Sequence, residues 1–346
     1  MMTNRRLPAE WEEQDGVLLS WPHADSDWSD DLDKVEPVFA AIAAAISHYE
    51  RVVIVAPESE LILPSIVAAG GNPQQVTLFN LPTNDTWSRD FGPITVVEED
   101  RLRLLDFGFN GWGLKFAANH DNQITRRLVE AGLFGKNHPQ VVGLILEGGA
   151  IESDGAGTIL TTSECLLNPN RNPHLQQREI EAQLGQLLGA QRFLWLEHGY
   201  LVGDDTDSHI DTLARLCPND TIAYVFCDDP GDEHYAALQR MREQLRSFRT
   251  ADDRPYRLLP LPWPQACYGP SNERLPATYA NFLIINGAVL VPTYNCAQDE
   301  TALNVIAQAF PDRKIIGIDC SPLILQHGSL HCVTMQLPQG VLTGDK

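Results

Sequence analysis

One cysteine near the end of the chain lies where a thiol nucleophile is expected. Cys332 stands between a glycine-containing loop, residues 326–330, and a run of apolar, β-like residues. A cysteine at such a junction, with a histidine distant in sequence, is typical of a thiol nucleophile. The alternative is a buried structural cysteine. A metal site at His327 and His331 has less support, because Gly328 disfavours a helix there and no glutamate follows His327.

The most acidic stretch of the chain, residues 203–211, holds four aspartates and one histidine. Carboxylates close to His209 are expected to raise its pKa above the usual value of about 6.5, which favours imidazolium near neutral pH. If the segment is extended, His209 and Asp211 lie on one face of it. The composition suits acid–base chemistry or a metal hydrolase, although the ligand spacing of an EF-hand calcium loop is missing. A solvated acidic turn is the remaining interpretation.

Two other segments place carboxylates where a ligand can approach them. Residues 84–93 form a polar loop that contains Trp87 and Asp90 and is closed by a Gly-Pro pair. Loops of this kind often carry function. Glu147 follows the apolar residues 141–146 and precedes two glycines, which allow a close approach to the backbone. Considered singly, each segment is equally well a solvated turn.

Short β-branched runs, separated by helical patterns, supply the elements that position these residues. The expected buried strands are residues 51–56, 158–162, 221–226, 282–285, 288–291 and 314–318. The expected helices are residues 33–49, 121–131, 175–188, 233–248 and 300–309, the last with Asp299 as its N-cap. Hairpin turns are predicted at residues 154–157 and at Asn286 and Gly287. Strand pairs followed by one helix therefore recur about five times, and residues 108–113 are expected to form a packed loop.

The composition limits the partners and the compartment. The chain has 346 residues, 43% hydrophobic and 21% charged, with a net charge of −21 and a pI near 4.7. Such acidity makes nucleic acid and anionic membranes poor partners and favours a small cationic substrate. Seven scattered cysteines, no signal-peptide h-region and no apolar run of about 18 residues predict a cytoplasmic protein with reduced thiols. Because no linker divides the chain, residues 1–346 are expected to form a single domain.

Taken in chain order, these segments resemble the agmatine deiminase and bacterial peptidyl-arginine deiminase family of the guanidine-modifying, pentein-fold enzymes. The resemblance covers nearly the whole chain and is carried by residues 8–12 (PAEWE), 19–23 (LSWPH), 84–93 (NDTWSRDFGP), 147–162, 166–173 (LLNPNRNP) and 331–332 (HC). It implies an α/β fold of the pentein propeller type, a fivefold pseudosymmetric ring of ββαβ units around a central active site. The five expected helices agree with that arrangement.

The resemblance also implies a role for each candidate residue. Cys332 is then the nucleophile, His209 the general acid and base, and Glu147 the carboxylate that supports the site. Asp90 and Asp211 bind the substrate guanidinium. No metal or organic cofactor is required, because thiolate attack on the guanidinium carbon gives an amidino-cysteine that water hydrolyses.

The implied activity is that of a hydrolase acting on C–N bonds in linear amidines. Agmatine is the favoured substrate, giving N-carbamoylputrescine and ammonia on a route to putrescine. Trp87 and residues 10–12 are expected to contact the aliphatic chain and the distal ammonium. The sequence departs from the agmatine deiminase pattern at residues 205–209 and 327–332, so the preference at the distal end stays open.

Three alternatives remain beside agmatine deimination. The same chemistry on peptidyl-arginine would make citrulline, and another small guanidine would serve equally well as substrate. A protein of another class would be a non-catalytic pentein that binds a cationic partner through an acidic cavity. Each alternative is compatible with a homo-oligomer.

Overall fold

The helices range from single turns to four turns in length. A computed structural model describes residues 5–99 and 101–342. The helices are α1 Leu32–Ile46, α2 Ile62–Ala68, α3 Ser88–Phe91, α4 Gly111–Leu114, α5 Ile124–Glu130, α6 Ser163–Leu166, α7 Gln177–Leu188, α8 Tyr235–Ser247 and α9 Asp299–Ala307. All five helices expected from the sequence are confirmed, with ends that differ by a few residues. Within the described residues, none of the helices combines the length and hydropathy needed to span a bilayer.

The strands form five sheets of three or four strands and one two-stranded sheet within the described residues. The strands are β1 Arg5–Arg6, β2 Gln14–Ser20, β3 Arg51–Ala56, β4 Val76–Asn80, β5 Ile94–Glu98, β6 Arg101–Gly108, β7 Gln140–Ile145, β8 Ile151–Ser153, β9 Thr158–Thr162, β10 Arg192–Leu196, β11 Ala214–Cys217, β12 Thr221–Val225, β13 Arg257–Leu261, β14 Cys267–Tyr268, β15 Arg274–Leu275, β16 Leu283–Ile285, β17 Ala288–Thr293, β18 Lys314–Asp319 and β19 Thr334–Pro338. The sheet orders are β1-β5-β6-β7, β10-β9-β8, β11-β12-β13, β14-β15, β16-β17-β18 and β19-β2-β3-β4. Every strand expected from the sequence is confirmed.

The five larger sheets share one arrangement. Each contains an antiparallel pair of strands, and the second strand of the pair leads through a helix to a third strand parallel to it. The sheets of β5-β6-β7 and β19-β2-β3 follow the same rule, with α5 and α1 in the crossovers. A parallel connection needs a dozen or more residues, which the helix provides. The expected recurrence of strand pairs and single helices is therefore confirmed, and the fold class is α/β.

One expected helix cap is wrong. The residue before α9 is Gln298, and Asp299 is the first residue of the helix. The Asp299 carboxylate instead accepts hydrogen bonds from the backbone N–H groups of Tyr294 and Cys296 and from the hydroxyl of Tyr279. The aspartate thus stabilises the loop that precedes the helix, an Asx-type role that competes with capping.

The two ends of the described chain meet in one sheet. β19 pairs antiparallel with β2, so Cys332, two residues before β19, lies beside the N-terminal part of the chain. The short helix α3 is attached to both strands, since the hydroxyl of Ser88 donates to the carbonyls of Leu18 and Val333. This attachment places Asp90 of α3 close to Cys332.

The strands next to the candidate site are buried on both faces. β3 is apolar over residues 52–56 and β2 over residues 17–19, and Leu18, Leu19 and Ile54 are fully buried. Burial of a side chain of this size contributes roughly 1.5–3 kcal/mol to stability. A buried, two-sided strand supports a site rigidly, because neighbouring side chains leave it little room to shift.

Candidate active site

Cys332 is a buried thiol with polar neighbours on two sides. Its Sγ lies 3.3 Å from Asn281 Oδ1, to which the thiol donates, and 3.9 Å from Asp211 Oδ2. Burial, and after it the negative charges of Asp211 and Asp90, raise the pKa of Cys332 well above its usual value. The resting side chain is therefore a thiol. A cation placed between the two carboxylates would favour the thiolate.

His209 faces Asp90 at the inner end of the site. The two side chains are almost fully buried, with His209 Nδ1 and Asp90 Oδ1 3.6 Å apart. Burial raises the pKa of Asp90 to about 6, although the charge of His209 opposes the rise. Burial alone would lower the pKa of His209, but Asp90 together with Cys165 and Glu147 outweighs it and raises that pKa well above 6.5. His209 is therefore an imidazolium near neutral pH, as the sequence predicted.

Asp90 is oriented by two hydrogen bonds. Its Oδ1 accepts from the backbone N–H of Gly149 at 2.9 Å, and its Oδ2 accepts from the indole of Trp112, also at 2.9 Å. Trp112 has φ 54° and ψ 45°. The left-handed region is costly for a bulky residue and is found where tertiary contacts enforce it. The contact with Asp90 is one such constraint.

Glu147 follows β7 and is held by a buried arginine. Its Oε1 accepts from Arg171 Nε at 2.9 Å, and both side chains are fully buried. Within residues 5–99 and 101–342, its Oε2 has no hydrogen-bond partner, and neither ring nitrogen of His209 has one. Potential ligand atoms of Glu147, Cys165 and His209 all lie within 4.8 Å of one another. These unpaired polar atoms are suited to bind a substrate or a water molecule.

Asp211 follows His209 after one residue and is buried. Its Oδ2 accepts from His331 Nδ1 at 2.7 Å, whereas its Oδ1 has no hydrogen-bond partner in the part of the chain that the structure describes. Burial alone would raise the pKa of Asp211, but the hydrogen bond and charge of His331 outweigh it and lower that pKa below its usual value. Asp211 is thus an anion with one oxygen free to accept a hydrogen bond.

A single glycine shows how closely the predicted residues converge. A Cβ built on Gly149 would lie 2.6 Å from His209 Nδ1, 2.8 Å from Asp90 Oδ1 and 3.2 Å from Asp211 Oδ2. Glu147 precedes this glycine by two residues. The structure therefore brings together the five polar residues singled out in the sequence, and their chemical roles remain predictions.

Replacement of Gly149 by alanine is expected to lower kcat/KM by about 100-fold, because a shift of about 1 Å in reacting groups costs that much. The new methyl group would displace His209 and Asp90 from their present positions. Steady-state kinetics would measure the loss. Gly143→Ala is the matched control, since a Cβ there has nothing within 4 Å. Equal activity of the two variants would contradict the tight convergence at Gly149.

A cavity of about 200 Å³ opens above Cys332. Asp90 and Cys332 lie at its inner end, and the rings of Trp87, Trp112 and Phe116 form an apolar part of its wall. Three further carboxylates line it, namely Asp27, Asp85 and Asp205. Burial raises the pKa of Asp85 to about 7. No lysine or arginine is among the residues that line this cavity in the described chain, so its electrostatic character is acidic.

Trp87 is placed in the cavity wall as expected, but the acidic residues 10–12 are not. Glu10 is buried against Arg215 and His331, and Glu12 forms an ion pair with Arg6. Neither glutamate lines the cavity. The expectation that residues 10–12 contact the distal end of a substrate is therefore wrong.

The aspartates of residues 203–211 do not converge on a metal site. Asp204 accepts hydrogen bonds from Thr206 and Ser208, and Asp207 pairs with Lys115 and Arg171. Among the described residues, the groups able to hold a metal contain none of Asp204, Asp205 and Asp207. These aspartates instead stabilise a turn.

Three residues of the site were missed by the sequence analysis. Arg171 lies inside the family motif 166–173, which was the signal for it, and its pairing with Glu147 fits the rule that a buried arginine needs a carboxylate partner. Trp112 belonged to the loop expected to be merely packed. Asn281 gave no signal, since its contact with Cys332 spans 51 residues of sequence.

The α/β fold brings a buried thiol, an imidazole and three carboxylates together beside an acidic cavity. The chain belongs to the Porphyromonas-type peptidyl-arginine deiminase family, whose model matches residues 6–338. This confirms the family expected from the sequence.

Known relatives support the same assignment over nearly the whole chain. The agmatine deiminase of Pseudomonas aeruginosa is 31% identical over 96% of this chain and 95% of its own. A cysteine-to-serine variant of the C. jejuni agmatine deiminase with substrate bound is 40% identical, with a TM-score of 0.91 and 97% of each chain covered. A Porphyromonas gingivalis protein provisionally named arginine deiminase is 51% identical, with a TM-score of 0.93 and 98% and 100% coverage.

Proposed function

We propose that the protein hydrolyses agmatine to N-carbamoylputrescine and ammonia, a step toward putrescine. As in its relatives, the reaction is the hydrolysis of a C–N bond in a linear amidine. The observation that supports it most directly is the position of the Cys332 sulfur, 3.9 Å from Asp211 and at the inner end of a cavity that also holds Asp90. A guanidinium bound by both carboxylates would present its central carbon to the sulfur.

The first chemical step is attack by Cys332. The bound cation offsets the charges of Asp90 and Asp211 that disfavour the thiolate, so the thiol loses its proton when substrate is present. The sulfur then forms a bond to the guanidinium carbon and gives a tetrahedral adduct. In the absence of substrate the neutral thiol is protected from oxidation, because the thiolate is the reactive form.

The second step is departure of ammonia. His209, an imidazolium before the reaction, donates a proton to the leaving nitrogen as the C–N bond breaks. An amidino-cysteine and a neutral imidazole remain. The imidazole then takes a proton from water, which attacks the same carbon and releases the ureido product and Cys332. Glu147, fixed by Arg171, supports the charge of His209 through both steps.

The cavity supports a substrate with a positively charged distal end. Asp27, Asp85 and Asp205 would attract the ammonium of agmatine and repel the carboxylate of free arginine. The raised pKa of Asp85 means that an ammonium nearby would also restore its ionised form. Trp87 offers its ring to the aliphatic chain between the two cations.

The fold that we propose for this reaction is the pentein-type propeller, as one catalytic domain over residues 1–346. Five sheets that repeat an antiparallel pair, a helix and a parallel strand support a fivefold pseudosymmetric ring of such units. A site assembled from several units also supports it, since Asp90, Glu147, Asp211 and Cys332 lie shortly before β5, β8, β11 and β19, which belong to four different sheets. We place the protein in the cytoplasm, where its seven free cysteines would stay reduced.

Ammonia release from agmatine, arginine and a blocked arginine peptide tests the proposed substrate. We expect kcat/KM for agmatine to exceed that for arginine by at least about tenfold, because like-charge repulsion by the cavity carboxylates disfavours arginine. The blocked peptide should also be poor, since it carries no distal ammonium. A higher kcat/KM for the peptide would replace agmatine by peptidyl-arginine as substrate. Absence of turnover with all three would favour a non-catalytic binding protein.

A further inference from the structure

His331, the residue before Cys332, bridges two carboxylates below the site. Its Nδ1 lies 2.7 Å from Asp211 Oδ2, and its Nε2 lies 2.8 Å from Glu10 Oε2. All three side chains are more than nine-tenths buried. An ionised carboxylate only accepts hydrogen bonds, so His331 Nδ1 donates to Asp211. His331 Nε2 contacts Arg215 Nη2 at 3.1 Å as well as Glu10. The bridge therefore joins the guanidinium-binding Asp211 to the N-terminal segment.

Glu10 is the end of this bridge that the surrounding protein holds in place. Its Oε1 accepts from the backbone N–H of Ile284 at 2.7 Å, and its Oε2 accepts from Arg215 Nη2 at 2.8 Å. Burial alone would raise the pKa of Glu10, but the positive charges of His331 and Arg215 outweigh it and lower that pKa below its usual value. Arg215 is itself held by Glu152 at 2.5 Å. Arg89 Nη2 also lies 4.0 Å from Glu10 Oε2, so positive charge and hydrogen bonds on several sides hold Glu10 against His331.

The hydrogen bond from His331 determines which oxygen of Asp211 can accept a further hydrogen bond. Oδ2 accepts from His331 and lies 3.9 Å from Cys332 Sγ, whereas Oδ1 is buried and has no hydrogen-bond partner among the described residues. We propose that Glu10 and His331 are positioning residues for substrate binding, which hold Asp211 with Oδ1 free to accept a hydrogen bond from the guanidinium. This inference rests on the proposed function, because it assigns Asp211 to the guanidinium. It gives Glu10 a role distinct from contact with the distal end of the substrate.

Two variants of His331 distinguish a role in orienting Asp211 from a role in packing alone. His331→Asn retains an N–H near the position of Nδ1 and loses the reach to Glu10, whereas His331→Leu removes both hydrogen bonds. We expect KM for agmatine to rise by about 10- to 100-fold in His331→Leu, and by less in His331→Asn. The value of kcat should change by a smaller factor, since the nucleophile and His209 are untouched.

Glu10→Gln tests the other end of the bridge at constant volume. It should raise KM in the same direction, because the amide binds His331 more weakly than a carboxylate does. Glu12→Gln is the matched control on the same segment, since Glu12 pairs only with Arg6 and the Ala9 N–H near the surface. Its KM should equal that of the wild type. Thermal unfolding would show which variants are folded, and Glu10→Gln decides the outcome if His331→Leu does not fold.

The outcomes separate this inference from the proposed function. A wild-type KM in folded His331→Leu or Glu10→Gln would overturn the positioning role, and so would a fall in kcat at constant KM. In either case agmatine turnover by the wild type would leave the proposed function standing. A wild type that does not release ammonia from agmatine would overturn the proposed function itself.

Discussion

Cys332→Ala is expected to lower kcat for agmatine on the order of 10⁶-fold, the loss typical of a missing nucleophile. Alanine removes the sulfur proposed to form the covalent intermediate, while the contact of Asp90 with His209 and that of Asp211 with His331 do not involve this atom. Agmatine should therefore still bind, although it is not hydrolysed. Ammonia release and calorimetric binding, measured on the same preparation, would show the two results together.

Cys227→Ala is the matched control for the nucleophile. Cys227 is also fully buried, but its Sγ contacts only the carbonyl of Asp229, away from the cavity. This variant should retain agmatine turnover. If Cys332→Ala remained active and EDTA abolished its activity, the metal hydrolase would replace the thiol mechanism.

The regular elements were predictable because their signals are local. The run of residues 51–56 is β-branched and apolar, and β3 occupies that same range. The turn at Asn286 and Gly287 likewise forms the hairpin of β16 and β17, since Gly287 has φ 71°. The role of Asp299 was not predictable, because its carboxylate binds a loop whose path depends on tertiary packing.

The sequence predicted the site residues whose own type suggests a chemical role. It did not predict residues whose role depends on a contact with a distant part of the chain. Cys332 was singled out at a loop-to-strand junction and His209 among aspartates, and the family resemblance implied their roles. Glu10 was assigned to the wrong place, since its bonds to Arg215 and His331 span 205 and 321 residues. A sequence motif can include such a residue, but it does not show which residues the side chain contacts.

The pairing of β19 with β2 explains how Glu10 comes close to the candidate active site. That pairing brings the segment before β2 beneath the loop that carries Cys332. Glu10 therefore contacts His331, the residue before the nucleophile, and is not among the described residues that line the cavity. The buried ion pairs of Glu10 reach Asp211 through His331, whereas Asp27, Asp85 and Asp205 line the cavity itself.

Asp90→Asn is expected to lower kcat/KM for agmatine by about 10²- to 10³-fold, because it removes one of two charges that bind the guanidinium. It also removes the largest influence that raises the pKa of His209. His209 is protonated below its pKa, so the imidazolium would be lost at lower pH and the alkaline limb of the kcat/KM profile should move downward. Asp106→Asn is the matched control, since Asp106 is buried 2.9 Å from Arg126 and outside the cavity. An unshifted profile in Asp90→Asn would show that another group sets the protonation of His209.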